Sequence, residues 1–194
     1  EMASDQTVQH FLRDLEEAWP IQNIPGFLEE EARRMDRLVS TLTDEQHHKL
    51  DAGTTIVSAV ICEGLLHWMS VGDSRLYILR NKHLTRLTKD HNYKTMLREN
   101  LKAGKVDIDF YNSEISRGEA LTSYLGLGNI ILIDTNEIPF QLQDGDILLL
   151  CSDGLYKTLT EEQIEAVVTE SGGNISIAGE RLRKTAGRWG RNGQ

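Results

Sequence analysis

Hydrophobic positions in the first fifty residues repeat with the period of an α-helix. Val8, Phe11 and Leu15 are spaced three and four residues apart, so they share one helical face. Pro20 and Pro25 are expected to break this pattern, because proline cannot continue the interior of a helix. A second apolar stripe follows at helical spacing: Phe27, Leu28, Ala32, Met35, Leu38 and Val39. The sequence therefore predicts two amphipathic helices in this part of the chain.

A different pattern begins near residue 54. Residues 54–62 are rich in β-branched side chains and end at a Glu-Gly turn, which is typical of a strand. Three more strand-like runs follow after short links, at residues 65–71, 75–79 and 83–87. Parallel neighbours need a crossover of a dozen or more residues. The short links therefore predict an antiparallel meander.

The second half of the chain mixes helical and strand-like patterns. Residues 93–103 have helical spacing, residues 105–119 predict a polar, acidic loop, and residues 130–138 predict a strand. The apolar run 147–151 is bounded by turn signals, which predicts a central strand buried on both faces. A capping box at Thr160 opens a further helix. Helices, then a meander, then strands and helices together predict an α+β fold.

Composition narrows the class of protein. The chain has 194 residues, with 21 Lys and Arg against 30 Asp and Glu, and a formal net charge of −9. This charge argues against a basic nucleic-acid interface. No apolar run reaches the roughly 18–20 residues that span a bilayer, and no secretory signal opens the sequence, so a cytoplasmic protein is expected. Cys62 and Cys151 both lie in apolar runs and are predicted to be buried thiols.

Two aspartates occupy positions suited to binding a cation. Asp153 follows the strand at 147–151 directly, so a rigid element would hold its carboxylate. Gly154 would let the backbone approach a ligand closely, because it has no side chain. Asp73 lies in a tight link between two predicted strands. The alternative for both carboxylates is a turn in which they cap backbone N–H groups of a purely structural domain.

Five short segments occur in a fixed order between residues 53 and 168. They are GTT at 53–55, VGDSRLY at 71–77, LTKDH at 87–91, LTSYLG at 121–126 and DGDILLLCSDGL at 144–155. Each segment is weak evidence by itself. Taken together in this order and spacing, they resemble the metal-dependent serine/threonine protein phosphatases of the 2C type.

The resemblance implies a fold, an activity and a metal site. The fold would be a two-sheet antiparallel β-sandwich flanked by helices, in one catalytic domain over residues 1–194 with a flap at residues 92–120. The activity would be hydrolysis of phosphoserine or phosphothreonine in proteins by a water activated at a binuclear Mn²⁺ or Mg²⁺ centre. Asp153 would be a metal ligand and the catalytic residue, and Asp73 would hold, with Asp153, a third and weaker metal. Phosphorylated proteins would be the substrates, and a cognate serine/threonine kinase system a partner.

Motifs of the family are missing at both ends of the sequence. Its acidic early strands and Asp-Gly-x-Gly-Gly loop do not precede Glu1, and its late Asp-Asn pair is not found before Gln194. The chain is therefore expected to be an incomplete domain that is inactive alone, because one carboxylate cannot fix two adjacent ions. Its unpaired strand edges are expected to favour association. The alternative is a catalytically dead pseudophosphatase that acts as a phosphoprotein-binding or regulatory module.

Overall fold

The computed structural model describes residues 2–189. In chain order the elements are α1 Met2–Ala18, α2 Ile24–Ser40, β1 Ile56–Cys62, β2 Leu65–Val71, β3 Arg75–Arg80, β4 His83–Arg86, α3 Tyr93–Lys102, α4 Ile108–Glu114, a 3₁₀ turn Ile115–Arg117, β5 Asp134–Thr135, β6 Phe140–Gln141, β7 Ile147–Cys151, α5 Asp153–Tyr156, α6 Glu161–Glu170 and α7 Ile175–Trp189. Across this range, every helix is too short or too polar to cross a membrane.

Both predicted N-terminal helices are present, as α1 and α2. Pro25 does not break the second one but lies in its first turn, where a proline removes no intrahelical hydrogen bond. Asn23 caps this end, because its side chain accepts a hydrogen bond from the Gly26 amide at 3.2 Å. The helical pattern of α1 is broken before α2, as expected, and Pro25 lies at the start of α2, which begins one residue before it.

The strands form two antiparallel sheets. The first has the order β1-β2-β5, with β6 also paired to β2, and the second has the order β4-β3-β7. In the first sheet Ile56 lies opposite Val71, and in the second Arg75 lies opposite Cys151. The pairs β1–β2 and β3–β4 are antiparallel as predicted, and the α+β architecture of two antiparallel sheets with helices is confirmed. The four strands do not form one continuous meander, because β2 and β3 lie in different sheets.

Each sheet has its own hydrophobic core. The first core joins α1 and α2 to β1 and β2, and its members Leu28, Met35 and Met69 are at most 1% exposed. The second joins β3 and β4 to α6 and α7, with Tyr77 and Ile164 fully buried. The chain passes from one sheet to the other at the link between β2 and β3. That link therefore lies at the junction of the two cores.

The prediction that β7 is buried on both faces is wrong. Leu149 of this strand packs against the second core, but Leu150 is 43% exposed. Within residues 2–189, β7 pairs with β3 alone and forms the edge of its sheet. Alternate side chains of a strand point to opposite faces, so the face that carries Leu150 is open.

Two other segments also differ from their predictions. The predicted loop 105–119 contains α4 and the 3₁₀ turn, and α4 begins where the Asp107 side chain accepts a hydrogen bond from the Phe110 amide at 2.8 Å. The predicted strand 130–138 contributes just β5. It is interrupted because the Asn136 side chain, instead of the backbone, bonds the amide of Trp68 and the carbonyl of Leu66 on β2.

The two cysteines are free and half-buried rather than fully buried. Cys62 packs against the first core and Cys151 against the second. Burial raises the pKa of Cys151 to about 11, so its sulfur remains a protonated thiol at neutral pH. Cys151 therefore has a packing role, as its apolar surroundings in the sequence indicate.

Candidate active site

The turn at residues 72–74 carries Asp73 between β2 and β3. Gly72 has a φ of +108°, and a Cβ at this position would lie 2.7 Å from the Cβ of Thr55, so both conformation and space require glycine. The hydroxyls of Thr55 and Ser74 are 2.8 Å apart. The turn is therefore tied to the start of β1, and Asp73 is held in a defined place.

His91 holds this turn in place through two hydrogen bonds to Gly72. The Gly72 amide donates to Nδ1 of His91 at 3.2 Å, and the His91 amide donates to the Gly72 carbonyl at 2.8 Å. Burial lowers the pKa of His91, which favours the neutral ring that can accept this bond. His91 is 5% exposed and does not line the cavity described below, so it is a positioning residue for the turn.

Asp153 lies at the start of α5, directly after β7, as the sequence predicts. Its side chain is 49% exposed, and it accepts a hydrogen bond from the ammonium group of Lys157 at 3.0 Å. Among the described residues, no backbone amide donates to this carboxylate. The alternative in which Asp153 serves as a structural cap is therefore not what the geometry shows.

A stacked set of side chains links α5 to the Asp73 turn. Arg75 donates to both carboxylate oxygens of Asp90, at 2.9 and 2.6 Å, and its guanidinium lies 3.4 Å from the centroid of the Tyr156 ring. The Tyr156 hydroxyl donates to the backbone carbonyl of Asp73 at 2.8 Å. The helix that begins with Asp153 and the turn that carries Asp73 are thereby held together.

Asp73 and Asp153 face the same cavity, of about 520 Å³. Its other walls are residues 53–55 at the start of β1, Tyr124, and the segment at the end of the flap region that includes Glu119. A cavity of this size accommodates a phosphorylated side chain. The two carboxylates selected from the sequence are therefore brought together at the junction of the two sheets.

Lys157 is a residue of this cavity that the sequence reasoning missed. Its Nζ atom lies 3.0 Å from Asp153, 3.4 Å from Glu119 and 4.0 Å from Asp73. The hydrogen bond that it donates to Asp153 raises the pKa of Lys157, so the ammonium is charged at neutral pH. Its spacing of four residues from Asp153 is the signal that could have found it.

The described residues do not by themselves fit a two-metal centre. Within residues 2–189 no group of three or more His, Cys, Asp or Glu side chains is arranged to hold a metal ion. Asp153 offers one carboxylate, and the space between it and Asp73 is occupied by the Lys157 ammonium. Gly154 meets no neighbour closer than 3.8 Å at its would-be Cβ, so the fold itself does not require glycine there. Its role in ligand approach stays a prediction.

Comparisons with known proteins agree with this geometry. The family model described as "Protein phosphatase 2C" matches residues 3–96. The structure of the serine/threonine phosphatase PstP/Ppp of Mycobacterium tuberculosis has a TM-score of 0.77 and 25% identity, covering 98% of this chain and 77% of that one. The chain is therefore similar to the protein phosphatase 2C family over residues 3–96, and to the PstP/Ppp structure over nearly its whole length.

Curated relatives come from several bacteria. The "Serine/threonine phosphatase stp" of Listeria welshimeri is 29% identical over 173 residues, which cover 86% of this chain and 66% of the relative. Protein phosphatase PhpP of Streptococcus pneumoniae is 30% identical over 117 residues, covering 60% of this chain and 45% of the relative. The chain thus spans about two-thirds of the Listeria relative. Because these relatives carry the names of phosphatases, they favour the catalytic hypothesis over the pseudophosphatase alternative.

Proposed function

We propose that this protein hydrolyses phosphoserine and phosphothreonine in protein substrates, by a water activated at a binuclear Mn²⁺ or Mg²⁺ centre. One observation carries the proposal: in a chain similar to the 2C family, Asp73 from the junction of the sheets and Asp153 from the end of β7 face one cavity. An exposed carboxylate at the start of α5, free of backbone amide donors among the described residues, supports a ligand role for Asp153.

The proposed metals are two ions of Mn²⁺ or Mg²⁺. The structure of the catalytic domain of PstP, in complex with two manganese ions, supports this number by analogy. Bound divalent ions lower the pKa of water and neutralise phosphoryl charge. In this proposal, the fold holds Asp153 rigidly at the cavity wall. It does so through β7 on one side and the Tyr156–Asp73 hydrogen bond on the other. Gly154 is proposed to leave room for the ligand.

We also propose that residues 92–120 form a flap that selects substrates within a single catalytic domain over residues 1–194. Its C-terminal end supports this role, since Glu119 borders the cavity and its carboxylate lies 3.4 Å from the Lys157 ammonium. Exposed apolar side chains on its helices, Met96 and Phe110 among them, offer contacts for the residues that flank a phosphorylated side chain.

The proposed partners follow from this activity. A phosphoprotein phosphatase acts on the products of protein kinases, so a cognate serine/threonine kinase system is the proposed counterpart, in the cytoplasm. Association through strand edges is also proposed, because β7 presents an unpaired edge and an exposed Leu150 within the described residues. Size-exclusion chromatography with light scattering tests this association, which a monodisperse monomer would contradict.

The activity is tested on the complete encoded protein. We expect it to release phosphate from phosphoserine and phosphothreonine peptides in the presence of Mn²⁺, to lose this activity after chelation with EDTA, and to regain it when Mn²⁺ is restored. Circular dichroism before and after chelation shows whether the protein remains folded. A folded, Mn²⁺-loaded protein that releases no phosphate from any of these peptides would overturn the proposal.

A further inference from the structure

Three carboxylates surround the ammonium group of Lys157. They come from three parts of the chain: Asp153 from α5, Glu119 from the end of the flap region and Asp73 from the β2–β3 turn, at distances of 3.0, 3.4 and 4.0 Å. An isolated exposed ion pair contributes little to stability. Here one cation instead offsets the mutual repulsion of several acidic groups that line one cavity.

The position of this ammonium is constrained by the fold. Lys157 follows α5 directly, and its amide donates to the Asp153 carbonyl at 2.9 Å. The preceding residue, Tyr156, is bonded to the Asp73 carbonyl. The segment that carries Lys157 is therefore fastened to both aspartates, and its side chain brings Nζ within 4.0 Å of each carboxylate.

We propose that Lys157 is a tethered cation that takes the place of the third, weaker metal ion between Asp73 and Asp153. The inference rests on the proposed phosphatase function, and it replaces the accessory metal that the family resemblance implies. An ammonium is a compact point charge, and it repels a divalent ion brought to the same two carboxylates. The cavity of this protein therefore carries a permanent positive charge where an exchangeable ion would otherwise bind.

The test counts Mn²⁺ ions bound to the complete protein, by equilibrium dialysis and by the electron paramagnetic resonance of free Mn²⁺. Asp73→Ala should leave the number of bound ions unchanged, because Asp73 faces Lys157 and not a metal. Lys157→Asp should add one weak site per chain, with a Kd of roughly 0.1–1 mM, and adding Asp73→Ala to this variant should remove it. Lys184→Met is the matched control, since Lys184 also pairs with a carboxylate four residues away, Glu180.

Two results would overturn the inference. One is a weak site in the unmodified protein that Asp73→Ala abolishes, and the other is a folded Lys157→Asp variant that gains no site. Thermal melting followed by circular dichroism establishes whether Lys157→Asp is folded. If it is not, the comparison of Asp73→Ala with the unmodified protein still decides the question.

Activity provides a second and separate measurement. If a metal bound Asp73, the Asp73→Ala variant would lose more activity at limiting Mn²⁺ than at saturating Mn²⁺. With Lys157 in that place, we expect the same fold-loss at both concentrations, and a larger loss at limiting Mn²⁺ would contradict the inference. Failure of the proposed function is distinguishable, because it would abolish phosphate release in the unmodified protein without changing the Mn²⁺ count.

Discussion

Two aspartates in this molecule have opposite environments. Asp36 on α2 is 1% exposed, and its carboxylate accepts hydrogen bonds from the amides of Gly126, Gly128 and Ile130, at 2.9, 2.9 and 3.1 Å. The Asp153 carboxylate is half-exposed, faces a cavity and accepts a hydrogen bond from the side chain of Lys157. Asp36 fastens a loop, whereas Asp153 is available to a ligand.

The comparison gives a physical criterion for separating structural from functional carboxylates. A carboxylate that is satisfied by several amides has its negative charge neutralised within the protein. A carboxylate at a cavity wall with unused oxygen lone pairs retains the capacity to bind a cation. The criterion predicts that one residue is needed for activity and the other for folding.

The largest effect is expected for Asp153→Ala in the complete protein. Activity should fall by about 100-fold or more, because an electrostatic group at the reacting centre is removed. The free energy of unfolding should change by less than about 0.5 kcal/mol, since the side chain is half-exposed. Phosphopeptide kinetics and urea denaturation measure the two quantities. A large loss of stability would assign Asp153 a structural role and erase its contrast with Asp36.

Asp36→Ala should show the reverse behaviour. Three amides lose their acceptor, and that of Ile130 is buried, so we expect a destabilisation on the order of 3 kcal/mol. Activity per folded molecule at low temperature should be close to that of the unmodified protein. Asp36→Asn, which keeps one oxygen acceptor, serves as the control and should lose less stability. Equal destabilisation by both substitutions would argue against the role of the amide bonds.

Tyr156→Phe tests the link between Asp73 and α5. Loss of the hydroxyl removes its 2.8 Å hydrogen bond to the Asp73 carbonyl, which should cost about 1 kcal/mol of stability. Activity should decrease severalfold, since both aspartates depend on this contact for their relative position. Tyr93→Phe is the control, because the Tyr93 hydroxyl donates to Glu114 at 3.0 Å, outside the stacked set. A similar loss of activity in both variants would indicate a general effect of destabilisation.

Glu31 is a third kind of carboxylate, because it is buried but lies outside the cavity. Burial raises its pKa, and the nearby charge of Asp14 adds to this effect while Arg34 opposes it. The folded protein therefore holds this proton more tightly than the unfolded chain. The contribution of Glu31 to stability is full below the ordinary value of 4.5 and is lost as the pH rises through the raised pKa.

Glu31→Gln should accordingly stabilise the protein at pH 7, by about 1 kcal/mol or less, and have little effect at pH 4. Denaturation at both pH values measures the difference. Glu30→Gln, at an exposed neighbouring position, is the control and should show no such dependence on pH. A gain in stability that is equal at both pH values would mean that the carboxylate charge is not its source.

Much of the fold could be predicted from periodicity. The apolar stripe of α2 and the β-branched runs of the meander indicate the correct elements, because these segments are long enough to show their period. Shorter elements could not be predicted in this way. β5 has two residues, and its boundaries depend on the Asn136 side chain bonding a strand nearly seventy residues earlier.

The candidate site was predicted in part. The order of five short segments indicated Asp73 and Asp153, which the fold brings to one cavity. The position of Lys157 depends on α5, a helix of four residues that is too short to show periodicity. The structural role of Asp36 could not be inferred at all, since its partners lie 90–94 residues further along the chain.

The link at residues 72–74 joins two sheets that have separate cores, and one of the two cleft aspartates is carried on it. Both acids nonetheless flank adjacent strands of one sheet, because Asp73 precedes β3, Asp153 follows β7, and Arg75 lies opposite Cys151. A substitution that disturbs the pairing of β3 with β7 is therefore expected to change the gap between the acids, even where it lies outside the cleft.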